Sequence, residues 1–180
     1  MAKANRVVID TSVVRAIGAA PSQSSQPFLD ALDAARAGTV RLVKTAELDE
    51  EWDKHMPANG LFLEWQADMV SRGRVGRRQL KTLAGLKTRL RKAAPKDVHD
   101  AVTKDAHLAA AALETDARVL SLDDKMRGHL RRAADSIPEL KDVLWANPAT
   151  PAEKVPPWLR QGAPREKKRT LGSWSLPVGP

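Results

Sequence analysis

Short, continuous apolar runs alternate along the chain with segments whose apolar residues recur at helical spacing. The apolar runs predict buried strands at residues 6–9, 40–43, 119–122 and 142–145. The helical spacing predicts helices at residues 13–17, 28–37, 46–55, 61–72, 77–94, 97–115 and 125–134, with 97–115 as one long helix or two short ones. Strands separated by helices favour an α/β fold with a central parallel sheet.

The composition fits a single domain and excludes several kinds of site. A hydrophobic fraction of 42% in 180 residues is enough for a core. The chain has no cysteine, which excludes disulfides, thiolate metal ligands and a cysteine nucleophile. It has no apolar run near the ~18–20 residues of a transmembrane helix. Residues 1–6 lack the apolar region of a signal peptide, so we expect a cytoplasmic protein with no membrane partner.

The net charge of +8 is spread unevenly along the chain, and this spread changes the predicted domain organisation. Residues 61–95 carry +7 and residues 148–180 carry +4, which leaves −3 for the remainder. We therefore predict a domain over residues 1–148 that contains a basic helical arm, 61–95, followed by an extended, Pro-rich basic tail, 149–180. The arm's predicted RNA-binding residues are Arg77, Arg78, Lys81 and Lys92. The alternative is that these charges only keep a helix soluble, or that the arm binds a protein.

Four acidic residues lie at predicted strand ends or on helices beside them: Asp10, Glu51, Asp105 and Asp123. The carboxyl ends of parallel strands meet at one edge of a sheet, where ligands bind. Carboxylates without cysteine or clustered histidine suit Mg²⁺ or Mn²⁺. Each acid alone also fits a helix N-cap or an acidic first turn. Glu47 and Glu50 remain alternatives to Glu51, and the lone histidines His99 and His107 are predicted to be structural or solvated.

Five segments together resemble the PIN domain, a nuclease fold found in many toxins of bacterial toxin–antitoxin systems. They are VVIDTS at 7–12, TAELDEEW at 45–52, DAHLAAAAL at 105–113, VLSLD at 119–123 and WANP at 145–148. The resemblance covers residues 6–148. It departs from the family in the helix that carries the second acid, 46–55, which offers three glutamates. Position 12 is serine, where asparagine is also frequent in the family.

The resemblance implies a three-layer α/β/α fold and an Mg²⁺- or Mn²⁺-dependent endoribonuclease. Its catalytic and metal-binding residues would be Asp10, Glu51, Asp105 and Asp123. Thr11, Ser12 and Ser121 would order the acids or the water molecules around them. The implied partners are RNA, an antitoxin protein and a second copy of the chain.

Three other functions compete with this one. A non-catalytic PIN-like module would bind RNA without cleaving it, and the retention of all four acids argues against that. A nuclease acting on DNA, of the related flap-endonuclease group, is disfavoured because the chain is short and lacks an evident helix-hairpin-helix. A phosphatase of the haloacid-dehalogenase type needs Asp-x-Asp after the first strand, whereas this chain has Asp10-Thr11-Ser12.

Overall fold

The computed structural model describes residues 5–18, 20, 22–55 and 60–175. Over these ranges it confirms the predicted α/β class, with a parallel sheet flanked by helices as in a three-layer α/β/α fold. The strands are β1 (Arg6–Ile9), β2 (Arg41–Thr45), β3 (Val75–Arg78), β4 (Ala117–Leu120) and β5 (Leu144–Ala146). The helices are α1 (Thr11–Ile17), α2 (Gln26–Ala37), α3 (Ala46–His55), α4 (Gly60–Ser71), α5 (Leu83–Ala93), α6 (His99–Lys104), α7 (Ala106–Thr115), α8 (Asp124–Ala133) and α9 (Val155–Arg160).

The sheet has the strand order β3-β2-β1-β4-β5, and every pair is parallel. Strand β1 is central, and Val7, Val8 and Ile9 are fully buried because helices cover both of its faces. The chain order reverses at β1, since β2 lies on one side of it and β4 on the other. In open α/β sheets this switch point leaves a crevice beyond the carboxyl ends of the two central strands. Asp10 and Ser121 follow those two ends directly.

The predicted helical arm is wrong, because residues 61–95 form a helix, an edge strand and a second helix within the fold. Residues 75–78 form β3, paired in parallel with β2, and the helix predicted at 77–94 begins only at Leu83. Arg77 and Arg78 therefore end a strand and do not lie on a helical face. Lys81 lies in the connection before α5, and of the four basic residues only Lys92 is helical.

The predicted extended tail is also wrong for the residues that the structure describes, 149–175. This segment forms α9, which packs against α2, and the side chains of Trp158 and Leu159 on α9 are buried. Further on, Thr170 forms an antiparallel bridge with Leu144, and the amide of Leu171 donates to the carbonyl of Val143 at 2.9 Å. The segment therefore covers the outer edge of β5, a common way to protect an edge strand.

The remaining elements follow the predicted order with shifts of a few residues. Strand β4 lies two residues before the predicted 119–122, and β5 begins two residues later and ends one residue later than the predicted 142–145. The predicted helix 97–115 is two helices, α6 and α7, separated at Asp105. None of the described helices is long and apolar enough to cross a membrane.

Candidate acidic site

Asp10 lies at the carboxyl end of β1 with 8% of its surface exposed. It precedes α1 in an extended conformation, but its carboxylate does not cap that helix within the described structure. Instead, its Oδ2 accepts hydrogen bonds from the hydroxyls of Ser12 and Ser121, the latter at 2.7 Å. The N-cap alternative therefore does not describe this side chain. Two predicted supporting residues hold the carboxylate at the switch point.

Glu51 is the acid of α3 that the fold directs toward Asp10. The hydroxyl of Thr11, the residue after Asp10, donates to Glu51 Oε2 at 3.0 Å. Leu48 and Trp52 are buried on α3, which fixes the orientation of the helix and so the side on which Glu51 lies. Glu51 is therefore the second acid that the structure links to the site.

The other acids of α3 make different contacts. Asp49 pairs with Lys44 at 2.7 Å and with Arg77 at 3.0 Å, and Glu50 pairs with Lys54 on the exposed face. Glu47 has one buried carboxylate oxygen with no hydrogen-bond partner in the described residues. None of these contacts involves Asp10 or its neighbour Thr11. Glu51, and neither Glu47 nor Glu50, is therefore the glutamate of α3 that is linked to the site.

Asp105 lies in the break between α6 and α7, where small side chains bring α7 close to the sheet. Ala106, Ala109 and Ala110 of α7 are fully buried. In the described structure the carboxylate of Asp105 does not cap α7. Burial and, next in size, the negative charge of Asp10 raise its pKa to about 6, with a weaker contribution from Glu51 and opposing contributions from Lys104 and His107. The charges of Asp10 and Glu51 therefore act on Asp105.

Asp123, the fourth predicted acid, has a structural role. Its Oδ1 accepts a hydrogen bond from the amide of Met126 at 2.7 Å, which caps α8. Its own amide donates to Ser121 Oγ at 3.1 Å, so the backbone adjoins the site while the carboxylate is engaged elsewhere. The structure brings Asp10, Glu51 and Asp105 together but holds Asp123 at a helix terminus.

His107 belongs to the site, although the sequence pattern predicted a structural or solvated side chain. It is 3% exposed, and its Nε2 lies 3.8 Å from Glu51 Oε2 with no hydrogen-bond partner among the described residues. The helical pattern does not say which way this side chain points. The sequence did contain one signal for this position. His107 lies in a run of alanine and leucine that must be buried, so its two polar ring nitrogens would need partners there.

The donor chemistry of the site fits a hard divalent cation, but the side chains are not closed around one. Carboxylates are ligands for Mg²⁺ or Mn²⁺, and an unpartnered buried imidazole nitrogen is a ligand for Mn²⁺ and later transition metals. Across the described ranges, no three acidic or histidine side chains stand close enough to hold an ion as they are placed. Ion binding would therefore require these side chains to move closer together.

Basic side chains lie at the same edge of the sheet. The register pairs Lys44 with Arg77 and Thr45 with Arg78, so both arginines lie at the carboxyl end of β3. Two strand spacings, roughly 10 Å, separate β3 from β1 in the observed order. The Arg77 side chain is 77% exposed despite its pair with Asp49. A polyanion that reaches the acidic site can therefore contact these side chains as well.

The raised pKa of Asp105 predicts a pH-dependent stability of the metal-free protein. Between its ordinary pKa of 3.8 and about 6, the folded state binds more protons at this residue than the unfolded state. Stability therefore falls as pH rises through this window and is lowest, for this group, above about pH 6. Asp105→Asn should raise the free energy of unfolding at pH 7.5 by on the order of 1–2 kcal/mol, after allowance for solvent screening.

Urea unfolding in the presence of a chelator measures this effect. The gain from Asp105→Asn should be largely lost at pH 4, where the carboxyl is protonated in the folded state and close to half-protonated in the unfolded state. Asp100→Asn, at an exposed position on α6, is the matched control and should change stability little at either pH. An equal gain at pH 4 and pH 7.5 would contradict the electrostatic origin of the effect.

Comparisons of the chain with protein-family models, with curated proteins and with solved structures find no match. The geometry of the site is therefore the ground for a functional assignment. The site consists of the carboxylates of Asp10 and Glu51 with the hydroxyls that hold them, the carboxylate of Asp105, whose pKa their charges raise, and one buried histidine nitrogen.

Proposed function

We propose that the protein is a metal-dependent endoribonuclease of the PIN type. The observation that carries this proposal is the carboxylate of Asp10, held at the switch point of the sheet by Ser12 and Ser121, with Glu51 bonded to the neighbouring Thr11. The charges of Asp10 and Glu51 also raise the pKa of Asp105. Such mutual repulsion destabilises the protein unless a cation offsets it. Carboxylates whose charge is only partly compensated are what a metal-dependent phosphodiesterase needs at its centre.

The residues of the chain have separable roles in this proposal. Ser12 and Ser121 hold the carboxylate of Asp10, and Thr11 orients that of Glu51. Asp10, Glu51 and Asp105 would hold the ion, and Asp123 would join them only after leaving its cap. A bound Mg²⁺ or Mn²⁺ supplies Lewis-acid activation of the phosphate and of a water molecule. No nucleophilic side chain is then required, which agrees with the absence of cysteine from the chain.

RNA as the substrate rests on the PIN resemblance and on the basic edge beside the site. Arg77 and Arg78 end β3 at the carboxyl edge of the sheet, and the exposed Lys81 follows them in the chain. Basic side chains along an approach to a metal site attract a phosphate backbone and position it without reading its sequence. The same resemblance makes this protein a candidate toxin whose partner is an antitoxin protein.

The salt dependence of RNA binding tests the role of the two arginines. R77Q/R78Q should reduce the slope of log K against log salt concentration by roughly 1.4, because each phosphate contact to a single strand contributes roughly 0.7. The matched control is R36Q/R72Q, since Arg36 and Arg72 are exposed, are paired with acids and precede the amino ends of β2 and β3. Fluorescence anisotropy with a single-stranded RNA at several salt concentrations provides the slopes. Equal slopes for both variants would contradict the assigned RNA path.

Cleavage of RNA by the purified protein tests the proposed function itself. Single-stranded RNA should be cut internally with Mn²⁺ or Mg²⁺ and remain intact with a chelator, while DNA of the same sequence should be cut far more slowly. Uncut RNA under all ion conditions, with binding retained, would favour the non-catalytic RNA-binding module. One observation favours that second candidate, since Asp123 serves as a helix cap.

A further inference from the structure

His107 is held in one orientation by its own helix. Its Nδ1 lies 3.1 Å from the carbonyl oxygen of Lys104, an atom that can only accept a hydrogen bond. Nδ1 must therefore carry the hydrogen, and in the neutral ring the lone pair is on Nε2. A backbone carbonyl that fixes the tautomer in this way is the usual companion of a metal-binding histidine.

The lone pair on Nε2 faces another acceptor. Glu51 Oε2 lies 3.8 Å away, and within the described part of the chain Nε2 has no hydrogen-bond partner. Glu51 Oε2 already accepts from the hydroxyl of Thr11, and its side chain is 21% exposed, so the unsatisfied atom of the pair is Nε2, which is buried without a partner. A cation between the two atoms would satisfy Nε2 and offset the charge of the carboxylate. With metal–ligand bonds of roughly 2.0–2.2 Å, two ligands of one ion stand roughly 3–4 Å apart, which is the separation of these two atoms.

We propose that His107 Nε2 is a ligand of the ion bound at the acidic site, together with Glu51 and Asp10. Asp10 is included because its neighbour Thr11 donates to the same Glu51 oxygen that His107 faces. A donor set with one imidazole nitrogen favours Mn²⁺ and later transition metals over Mg²⁺, which binds almost entirely through oxygen. The inference rests on the proposed metal site and adds a prediction about which ion occupies it.

Pulsed electron paramagnetic resonance on the full-length protein with Mn²⁺ alone tests this directly. A manganese ion bound to an imidazole shows modulation from the ligand ¹⁴N, which does not depend on RNA or on cleavage. The wild-type spectrum should show this modulation, and His107→Asn should remove it. The asparagine amide can still donate to the Lys104 carbonyl but has no atom at the position of Nε2. His99→Gln is the control, since His99 Nε2 contacts the carbonyl of Ala94.

Calorimetric titrations provide a second measurement on the same proteins. His107→Asn should weaken Mn²⁺ binding by about tenfold or more, by analogy with losses around metal sites. Mg²⁺ binding should change much less, so the preference for Mn²⁺ over Mg²⁺ should fall. Where the variant fails to fold, as judged by circular dichroism, the wild-type ¹⁴N signal alone decides.

The outcomes separate this inference from the proposed function. Mn²⁺ binding without ¹⁴N modulation, and with unchanged affinity in His107→Asn, would overturn the inference and leave the acidic metal site standing. His107 would then be a protonated ring paired with Glu51. A wild-type protein that binds neither Mn²⁺ nor Mg²⁺ would overturn both proposals.

Discussion

Asp10→Asn should lower metal-dependent RNA cleavage by at least about a hundredfold, equivalent to about 3 kcal/mol of transition-state stabilisation, while the fold stays intact. The asparagine carbonyl oxygen can accept the hydrogen bonds that Ser12 and Ser121 donate to Oδ2. The substitution therefore keeps the local structure and removes one charge from the group that includes Glu51 and Asp105. Initial cleavage rates on a labelled RNA at saturating Mn²⁺ measure the effect.

Two further variants serve as comparisons for Asp10→Asn. Asp33→Asn makes the same chemical change on the exposed surface of α2, where the acid pairs only with Arg36 among its described contacts, and should cleave like the wild type. Asp123→Asn retains a good helix cap, so its cleavage rate reports whether the fourth acid takes part. Wild-type cleavage by a folded Asp10→Asn protein would remove Asp10 from the site and leave the proposed function without its central residue.

The parts of the fold that the sequence predicted are those buried on both faces. The run from Val7 to Ile9 is continuous and apolar because β1 lies between two layers of helices. Such a run has one plausible structure, and the acid that follows it must lie at the edge of the sheet. This is why β1 and the position of Asp10 after it could be inferred before the structure was known.

The parts that the sequence did not predict depend on contacts with distant residues. Strand β3 has a single apolar residue, Val75, because an edge strand needs one partner and leaves Arg77 and Arg78 in solvent. Its short, polar pattern resembles a connection between helices, and only pairing with β2 makes it a strand. The position of His107 likewise depends on where α3 places Glu51, 56 residues earlier in the chain.

The C-terminal segment is the clearest case of tertiary structure overriding composition. Its prolines, charges and scarcity of aliphatic residues predicted an extended tail, yet Trp158 is 3% exposed. The indole of Trp158 donates to the carbonyl of Pro164 at 2.8 Å, and the Arg169 guanidinium lies over the ring, 4.4 Å from its centroid. A buried tryptophan whose N–H has an acceptor and whose ring lies against a guanidinium contributes far more than the average residue of a polar segment.

Trp158→Ala should therefore lower the free energy of unfolding by about 3–5 kcal/mol, the range for a large aromatic side chain removed from a core. The loss follows from the cavity left at a buried side chain and from the unpaired carbonyl of Pro164. Trp174→Ala is the matched control, since that ring is half-buried near the end of the described chain, against Arg127, and should cost clearly less. Urea unfolding followed by far-ultraviolet circular dichroism measures both.

Gly38→Ala tests the same packing from the opposite side. A Cβ at Gly38 would collide with the backbone oxygen of Leu159, so this small change at the end of α2 should also destabilise the protein. Both variants should retain the RNA-cleavage rate of the wild type at temperatures where they are folded. The main contact of α9 is with α2, which carries none of the acidic site residues. A Trp158→Ala protein within about 1 kcal/mol of the wild type would show that the C-terminal segment contributes little to the core, as an extended tail would.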